Sequence, residues 1–191
     1  FGNIKAMSIA SLAGTVVILA LSTFIVKLAS KIGKKELSMI GCFISAASFI
    51  LLFIIHTHNV LVWVGLIIVA TIGTSMFNMV IWAMITDVID ESEVQTGVRQ
   101  DGTIYSVYSF ARKLGQACSS GLSGVLLSII GYTSVTAFDP KVVDGIYNIT
   151  CLVPAGGMIL LLLALWFLYP LNKKRVEENA EKLRIKRNEN A

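Results

Sequence analysis

Lys113 is the residue of this sequence most able to do chemistry, because it is a cation inside a long, otherwise apolar run. It lies eight residues beyond Tyr105, the expected inner end of a membrane span, which is about 12 Å deep at about 1.5 Å per residue. A charge there costs at least ~2.5 kcal/mol, so we expect Lys113 to face a polar interior and to have a partner. Polar residues at helical spacing share its face: Ser106, Ser109, Gln116, Ser120 and Ser123. This stripe indicates a water-accessible functional site, and the alternatives are a snorkelling lysine or a structural ion pair.

The neighbouring cation, Arg112, points about 100° away from that stripe. A structural ion pair explains Arg112 at least as well as a role in binding substrate. A second line of polar residues follows one face of the preceding apolar run: Thr71, Thr74, Ser75, Asn78, Trp82 and Thr86. Packing between membrane helices accounts for the small hydroxylated members of this line. Asn78 and Trp82 combine an amide with an indole ring, which suits a sugar ring, although packing is an equal alternative for them.

An acidic run follows, in which Asp87, Asp90 and Glu93 are spaced three residues apart and so share a helical face. A solvated loop is the simplest interpretation of such a run. With Arg99 close by, these carboxylates could instead form ion pairs that close a cytoplasmic entrance. We therefore expect Asp87, Asp90, Glu93 and Arg99 to act as cytoplasmic gate residues.

The composition excludes a water-soluble enzyme, because 55% of the 191 residues are hydrophobic, only 15% are charged and the mean hydropathy is +0.75. The net charge of +4 is divided among short blocks, which does not favour nucleic acid as a partner. We predict no catalytic residues, no metal site and no cofactor. The residues behind this prediction are three scattered cysteines in apolar runs, expected to be buried, and a lone histidine pair: Cys42, Cys118, Cys151, His56 and His58.

Uncharged runs of about 20 residues are long enough to cross a bilayer as helices, and five candidate runs are present, the fourth interrupted by Arg112 and Lys113. The predicted spans are residues 8–26, 37–55, 60–86, 103–131 and 146–171, followed by a charged tail over residues 172–191. We therefore predict an all-α membrane protein. Twelve of the fourteen Lys and Arg residues in the loops and tail fall on one side, which places the C-terminus in the cytoplasm. The chain begins with Phe1, and we expect it to be a fragment of a longer protein.

The segment from Thr86 to Ala117 resembles the signature of the glycoside-pentoside-hexuronide:cation symporters, the sugar-carrier family that includes melibiose permease. The matching residues are Asp87-x-x-Asp90-x-x-Glu93, Thr96-Gly97-x-Arg99, Gly102, Tyr105-Ser106 and Phe110-x-x-Lys113-x-Gly115. One departure is Glu91, where the family has Tyr. The resemblance implies the C-terminal part of a twelve-helix major facilitator transporter, with the substrate site near mid-membrane between two halves.

By the same resemblance, Lys113 lies beside the cation and sugar sites, and Asn78 and Ser109 face the central cavity. We expect a sugar or glycoside to be bound by Lys113, Ser109, Gln116, Asn78 and Trp82. The resemblance also implies a coupling cation, Na⁺ or H⁺, held mainly by an N-terminal half that this sequence lacks. Besides that half and the sugar, the lipid bilayer is the expected partner.

The leading hypothesis is a sugar or glycoside:cation symporter of the cell membrane, plasma or inner, working by alternating access. One alternative is a lysophospholipid:cation carrier of related fold, and another is a membrane scaffold without transport activity. We also expect the tail to be a solvated helix that is dispensable for chemistry. Its expected ion pairs are Lys174 with Glu178 and Glu178 with Lys182.

Overall fold

The computed structural model describes the backbone of residues 4–57 and 59–189, and their side chains except at residues 4–11, 13, 17, 18, 21 and 23. His58 lies outside the described residues. Every regular element in the described part is an α-helix, which confirms the predicted all-α class. The helices are α1 (Ile4–Ile32), α2 (Lys34–Ile55), α3 (Val60–Thr96), α4 (Asp101–Ile129), α5 (Pro140–Phe167) and α6 (Lys173–Glu189). Three of them, α2, α3 and α5, are long and apolar enough to cross a membrane.

Several helices extend beyond the runs from which they were predicted, whereas α4 and α5 end before the predicted residues 131 and 171, at Ile129 and Phe167. Helix α3 continues ten residues past Thr86 and ends only where Gly97 adopts φ 77° and donates its N–H to the Glu93 carbonyl. The acidic run is therefore the last turns of a helix, and the simple interpretation as a loop is wrong. Helix α5 begins at Pro140, six residues before the predicted span, since proline suits the first turn of a helix.

Helices α2 and α3 approach closely at a pair of glycines. A Cβ on Gly41 or on Gly73 would lie less than 3.0 Å from the other residue's carbonyl oxygen. Beside this contact, the hydroxyls of Ser45 and Thr74 are 3.0 Å apart. Small residues of this kind let membrane helices pack backbone to backbone. The structure thus supports packing as the role of Thr74.

Helix α2 lies between α3 and α5, and α1 packs mainly on α3. The core joins these four helices through apolar side chains that include Ile25, Leu37, Val80, Met84 and Leu165. Helix α4 stands at the edge of the bundle, packs mainly against α3 and has no buried residue. Its Cys118 is consequently exposed, unlike the buried Cys42 and Cys151. The expectation that all three cysteines are buried is therefore wrong for Cys118.

Candidate substrate cavity and cytoplasmic gate

A cavity of about 590 Å³ lies between α3 and α4. Asn78 and Trp82 contribute to it from α3, one helical turn apart, so the structure brings together two of the predicted site residues. The cavity is lined by Phe77, Asn78, Ile81, Trp82, Tyr108, Ala111 and Arg112. Its volume is within the range of small-molecule sites, roughly 300–1,000 Å³.

Trp82 is the centre of an aromatic cluster in this cavity. Its ring stacks near Tyr105, with centroids 6.4 Å apart, and meets Tyr108 edge-on at 5.3 Å. The guanidinium carbon of Arg112 lies 5.5 Å from the centre of the Trp82 ring, within reach of a cation–π interaction. The arrangement offers a flat apolar surface and an amide, which can hold a hydroxylated ring, with a positive charge beside them.

Among the aromatic and charged residues of this cavity, sequence reasoning missed Phe77 and Tyr108 and left the role of Arg112 open. A signal for two of them was present, because Tyr105, Tyr108 and Arg112 follow one another at spacings of three and four and so share a face of α4. That face packs against α3. A periodicity argument restricted to one helix could define the face but could not show what it meets.

Lys113, Ser109 and Gln116 lie on exposed faces of α4 and do not line the cavity. Successive residues of a helix are about 100° apart, so the turn that aims Arg112 at α3 aims Lys113 elsewhere. Among the residues that the structure describes, Lys113 has no ion-pair partner. The predicted set of five cavity residues is thus divided, with Asn78 and Trp82 in the cavity and the other three outside it.

The predicted gate residues Asp90, Glu93 and Arg99 form one ion-pair network. The Nη1 group of Arg99 donates to Asp90 and to Glu93 at 2.9 Å each, and its Nε lies 2.9 Å from Asp101. These hydrogen bonds raise the pKa of the Arg99 guanidinium above its ordinary value, so Arg99 stays charged. The network joins the end of α3 to the start of α4.

Asp87 belongs to a separate interaction. It is buried, and it accepts a hydrogen bond of 2.6 Å from Nζ of Lys34 at the start of α2. Lys34 also donates to the Ala83 carbonyl at 3.3 Å. Three-residue spacing turns each successive acidic side chain about 60° around the helix, so Asp87 faces α2 while Asp90 and Glu93 face Arg99.

Helix α6 packs on the C-terminal end of α3 through Glu91. Both Nε and Nη2 of Arg175 donate to the Glu91 carboxylate, and Nδ2 of Asn179 donates to it at 2.5 Å. The hydrogen bonds from Arg175 to Glu91 raise the pKa of the Arg175 guanidinium above its ordinary value. Asn179 and Leu183 are buried on the packed face. The expectation of a solvated tail helix is therefore wrong for the face that packs on α3, whereas most of the rest of α6 is exposed.

Of the two ion pairs expected within the tail, only one is present in the described part of α6. Lys174 and Glu178 approach to 3.9 Å on the exposed side, whereas Glu178 does not pair with Lys182. Further contacts hold α6 to the bundle, from Arg187 to Glu93 at 3.6 Å and from Lys186 to the Gly97 carbonyl at 3.1 Å. The sequence feature that could have indicated this packing is Glu91, which is acidic where the symporter family that the sequence resembles has Tyr.

A family model described as MFS/sugar transport protein matches residues 1–173 of the chain. The Glucuronide carrier protein homolog of Escherichia coli (strain K12) is 33% identical over 168 residues, which cover 88% of this chain and 36% of that protein. The Putative sulfoquinovose importer of Salmonella typhimurium is 33% identical over 156 residues, covering 80% of this chain and 33% of the importer.

The Putative glycoside/cation symporter YagG of Escherichia coli (strain K12) is 33% identical over 106 residues, covering 53% of this chain and 22% of the symporter. The chain spans about a third of the length of the first two of these curated relatives.

Proposed function

Because the chain belongs to the MFS/sugar transport protein family, as its Thr86 to Ala117 segment indicated, we propose that it is part of a sugar or glycoside:cation symporter. It is a carrier segment and not an enzyme. The coupling cation is Na⁺ or H⁺. Transport proceeds by alternating access, in which a site between two halves opens to one side of the membrane at a time.

The observation that carries this proposal is the cavity between α3 and α4, with the Trp82 ring and the Asn78 amide in its wall. An indole face packs against the C–H groups of a sugar, while an amide donates to and accepts from its hydroxyls. The family membership supports the interpretation of this cavity as a substrate site in preference to a packing defect. Two relatives are named for glucuronide and sulfoquinovose, so sugars with an acidic group belong among the candidate substrates.

We further propose that all of α1 to α5 cross the membrane of the cell, with the tail in the cytoplasm. Helices α1 and α4 have 29 residues each, which at about 1.5 Å per residue exceeds a hydrocarbon core about 30 Å thick. Because the chain spans about a third of its curated relatives, we assign the rest of the site to a preceding half. That half would supply the cation ligands and a partner for Lys113.

The ion pairs at the cytoplasmic end are assigned to the gate. The Arg99 network ties α3 to α4, and the pair between Asp87 and Lys34 ties α3 to α2. Charge-assisted hydrogen bonds of this kind are strong enough to hold helices together, and the exposed side chain of Arg99 can exchange partners when the carrier reopens.

The test is uptake by the full-length transporter that contains this chain, reconstituted in proteoliposomes with an imposed Na⁺ or H⁺ gradient. The probes are radiolabelled methyl glycosides, neutral and acidic. We expect at least one probe to accumulate against its gradient only when the ion gradient is present, and Trp82→Ala to reduce that accumulation at least tenfold with normal protein levels. Failure of every probe to accumulate would contradict the proposed function.

A further inference from the structure

We propose that Arg112 binds the acidic group of the substrate, so that the cavity selects sugars that carry a carboxylate or a sulfonate over neutral sugars. This inference rests on the proposed function, since it names the substrate class of the same cavity. It is carried by the position of Arg112, by its lack of a carboxylate partner and by the groups that surround it.

Arg112 differs from the other arginines of the chain in the part that the structure describes. The other four each lie within 4.0 Å of a carboxylate: Arg99, Arg175, Arg184 and Arg187. Arg112 has no carboxylate within that distance among the described residues. Its guanidinium carbon instead lies over the face of the Trp82 ring, 5.5 Å from the ring centre. Its hydrogen-bond donors are therefore available to a ligand in the cavity.

The energetics of this position favour an anionic ligand. Arg112 lies seven residues beyond Tyr105, about 10 Å into the proposed span at about 1.5 Å per residue. A charge at such a depth costs about 2.5 kcal/mol or more, whereas a cation–π contact returns only about 0.5–2 kcal/mol. The ring of Trp82 thus offsets part of the cost, and an anion bound beside it would offset the rest.

The geometry of a guanidinium suits a planar or pyramidal oxyanion. Arg carries five N–H donors in a rigid fork that matches two oxygens of a carboxylate or a sulfonate. With the acidic group on Arg112, the sugar ring lies toward Trp82 and its hydroxyls toward Asn78, which line the same cavity. Lys113 cannot take this role, because it does not line the cavity.

Two probes that share one ring test this assignment in the full-length transporter: methyl β-D-glucuronide, which has a carboxylate, and methyl β-D-glucoside, which has a hydroxymethyl group instead. We expect the wild-type carrier to transport the glucuronide with at least tenfold higher kcat/KM. Arg112→Leu should lower kcat/KM for the glucuronide at least tenfold and lower that for the glucoside far less. Arg112→Lys should retain an intermediate preference for the acid.

Arg184→Leu is the matched control, since it removes the same charge from an exposed position of α6 and should leave both probes unchanged. Equal wild-type transport of both probes would overturn the assignment of Arg112 while leaving the proposed function intact. An equal loss of both in Arg112→Leu would show that Arg112 is a structural residue. If Arg112→Leu fails to insert, the two probes are made to compete for uptake in vesicles that contain the wild-type carrier or Arg112→Lys. This measurement still tests the role of Arg112, because a wild-type carrier that does not prefer the glucuronide contradicts the inference.

Discussion

At the scale of single residues, the buried pair between Asp87 and Lys34 makes the sharpest prediction of stability. The Asp87 side chain is 6% exposed and that of Lys34 is 31% exposed, at a separation of 2.6 Å. Removing one member of a buried pair leaves the other charge uncompensated and costs about 3–5 kcal/mol. Because Lys34 is nearly a third exposed, we expect a smaller loss, about 2 kcal/mol, for Lys34→Met.

The measurement is thermal unfolding of the purified transporter in detergent. The double variant Lys34→Met/Asp87→Asn should recover part of the lost stability, since the amide that replaces Asp87 carries no charge. An unchanged melting temperature in Lys34→Met would mean that water compensates Asp87 and that the pair contributes little.

The residues also show how far sequence reasoning reaches into the site. Asn78 and Trp82 were predictable because both lie on one helix, where spacing alone fixes their common face. The ion pairs of Arg99 with Asp90 and Glu93 were predictable because sequence proximity brings opposite charges together. Arg112 was left between a structural and a substrate role, since the side chain opposite it comes from a different helix.

At the scale of elements, Glu91 of α3 makes the largest set of hydrogen bonds to α6, since it accepts from both Arg175 and Asn179. Replacing Glu91 with Ala removes this carboxylate, so the buried amide of Asn179 loses the acceptor of its hydrogen bond. We expect α6 to open more often, and its backbone amides to exchange with deuterium roughly five-fold faster.

Hydrogen–deuterium exchange followed by mass spectrometry gives this readout for peptides within residues 173–189. Glu178→Ala is the matched control, because Glu178 lies on the exposed side of the same helix and should leave exchange nearly unchanged. Equal exchange rates in wild type and Glu91→Ala would show that Leu183 and the other contacts hold α6 without Glu91.

The contact between α2 and α3 makes a second prediction at this scale. Gly73→Ala places a Cβ against the Gly41 carbonyl and the Ser45 backbone, at less than 3.0 Å from each, so backbone must shift. Overpacking of this kind typically costs about 1–3 kcal/mol, and we expect a lower Tm in detergent. Gly65→Ala on the same helix meets nothing within 4 Å and should leave Tm equal or higher. Similar melting temperatures for the two variants would contradict the close approach.

The elements were more predictable than their packing. Each of the five long apolar runs contains most of a helix, because a run of that length satisfies its backbone only as a helix in lipid. The predicted helix ends were wrong where a helix continues through charged residues into water, as in the acidic run at the end of α3. The packing of α6 was missed because it depends on Glu91, which lies far from it in the sequence.

At the scale of the whole molecule, the exposed polar face of α4 is the feature that the described bundle leaves uncovered. Helix α4 has no buried residue, and Lys113, Ser109 and Gln116 lie on faces that no other described helix covers. A lysine near mid-membrane needs a carboxylate or a polar cavity to compensate it. In the proposed transporter that compensation comes from the other half, across the pathway of the sugar and the cation.

This arrangement predicts that Lys113→Ala abolishes ion-coupled uptake in the full-length transporter without preventing its insertion. Removing the ammonium would leave the carboxylates of the other half unpaired and change their affinity for cations and protons. Lys113→Arg should not restore coupling fully, because a planar guanidinium replaces a compact ammonium.

Leu122→Val, also on α4, is the control and should retain uptake. Uphill uptake under an imposed ion gradient, normalised to membrane abundance, decides the matter. Wild-type coupling in Lys113→Ala would make Lys113 a snorkelling or structural residue, and the face of α4 around it would then be a packing surface.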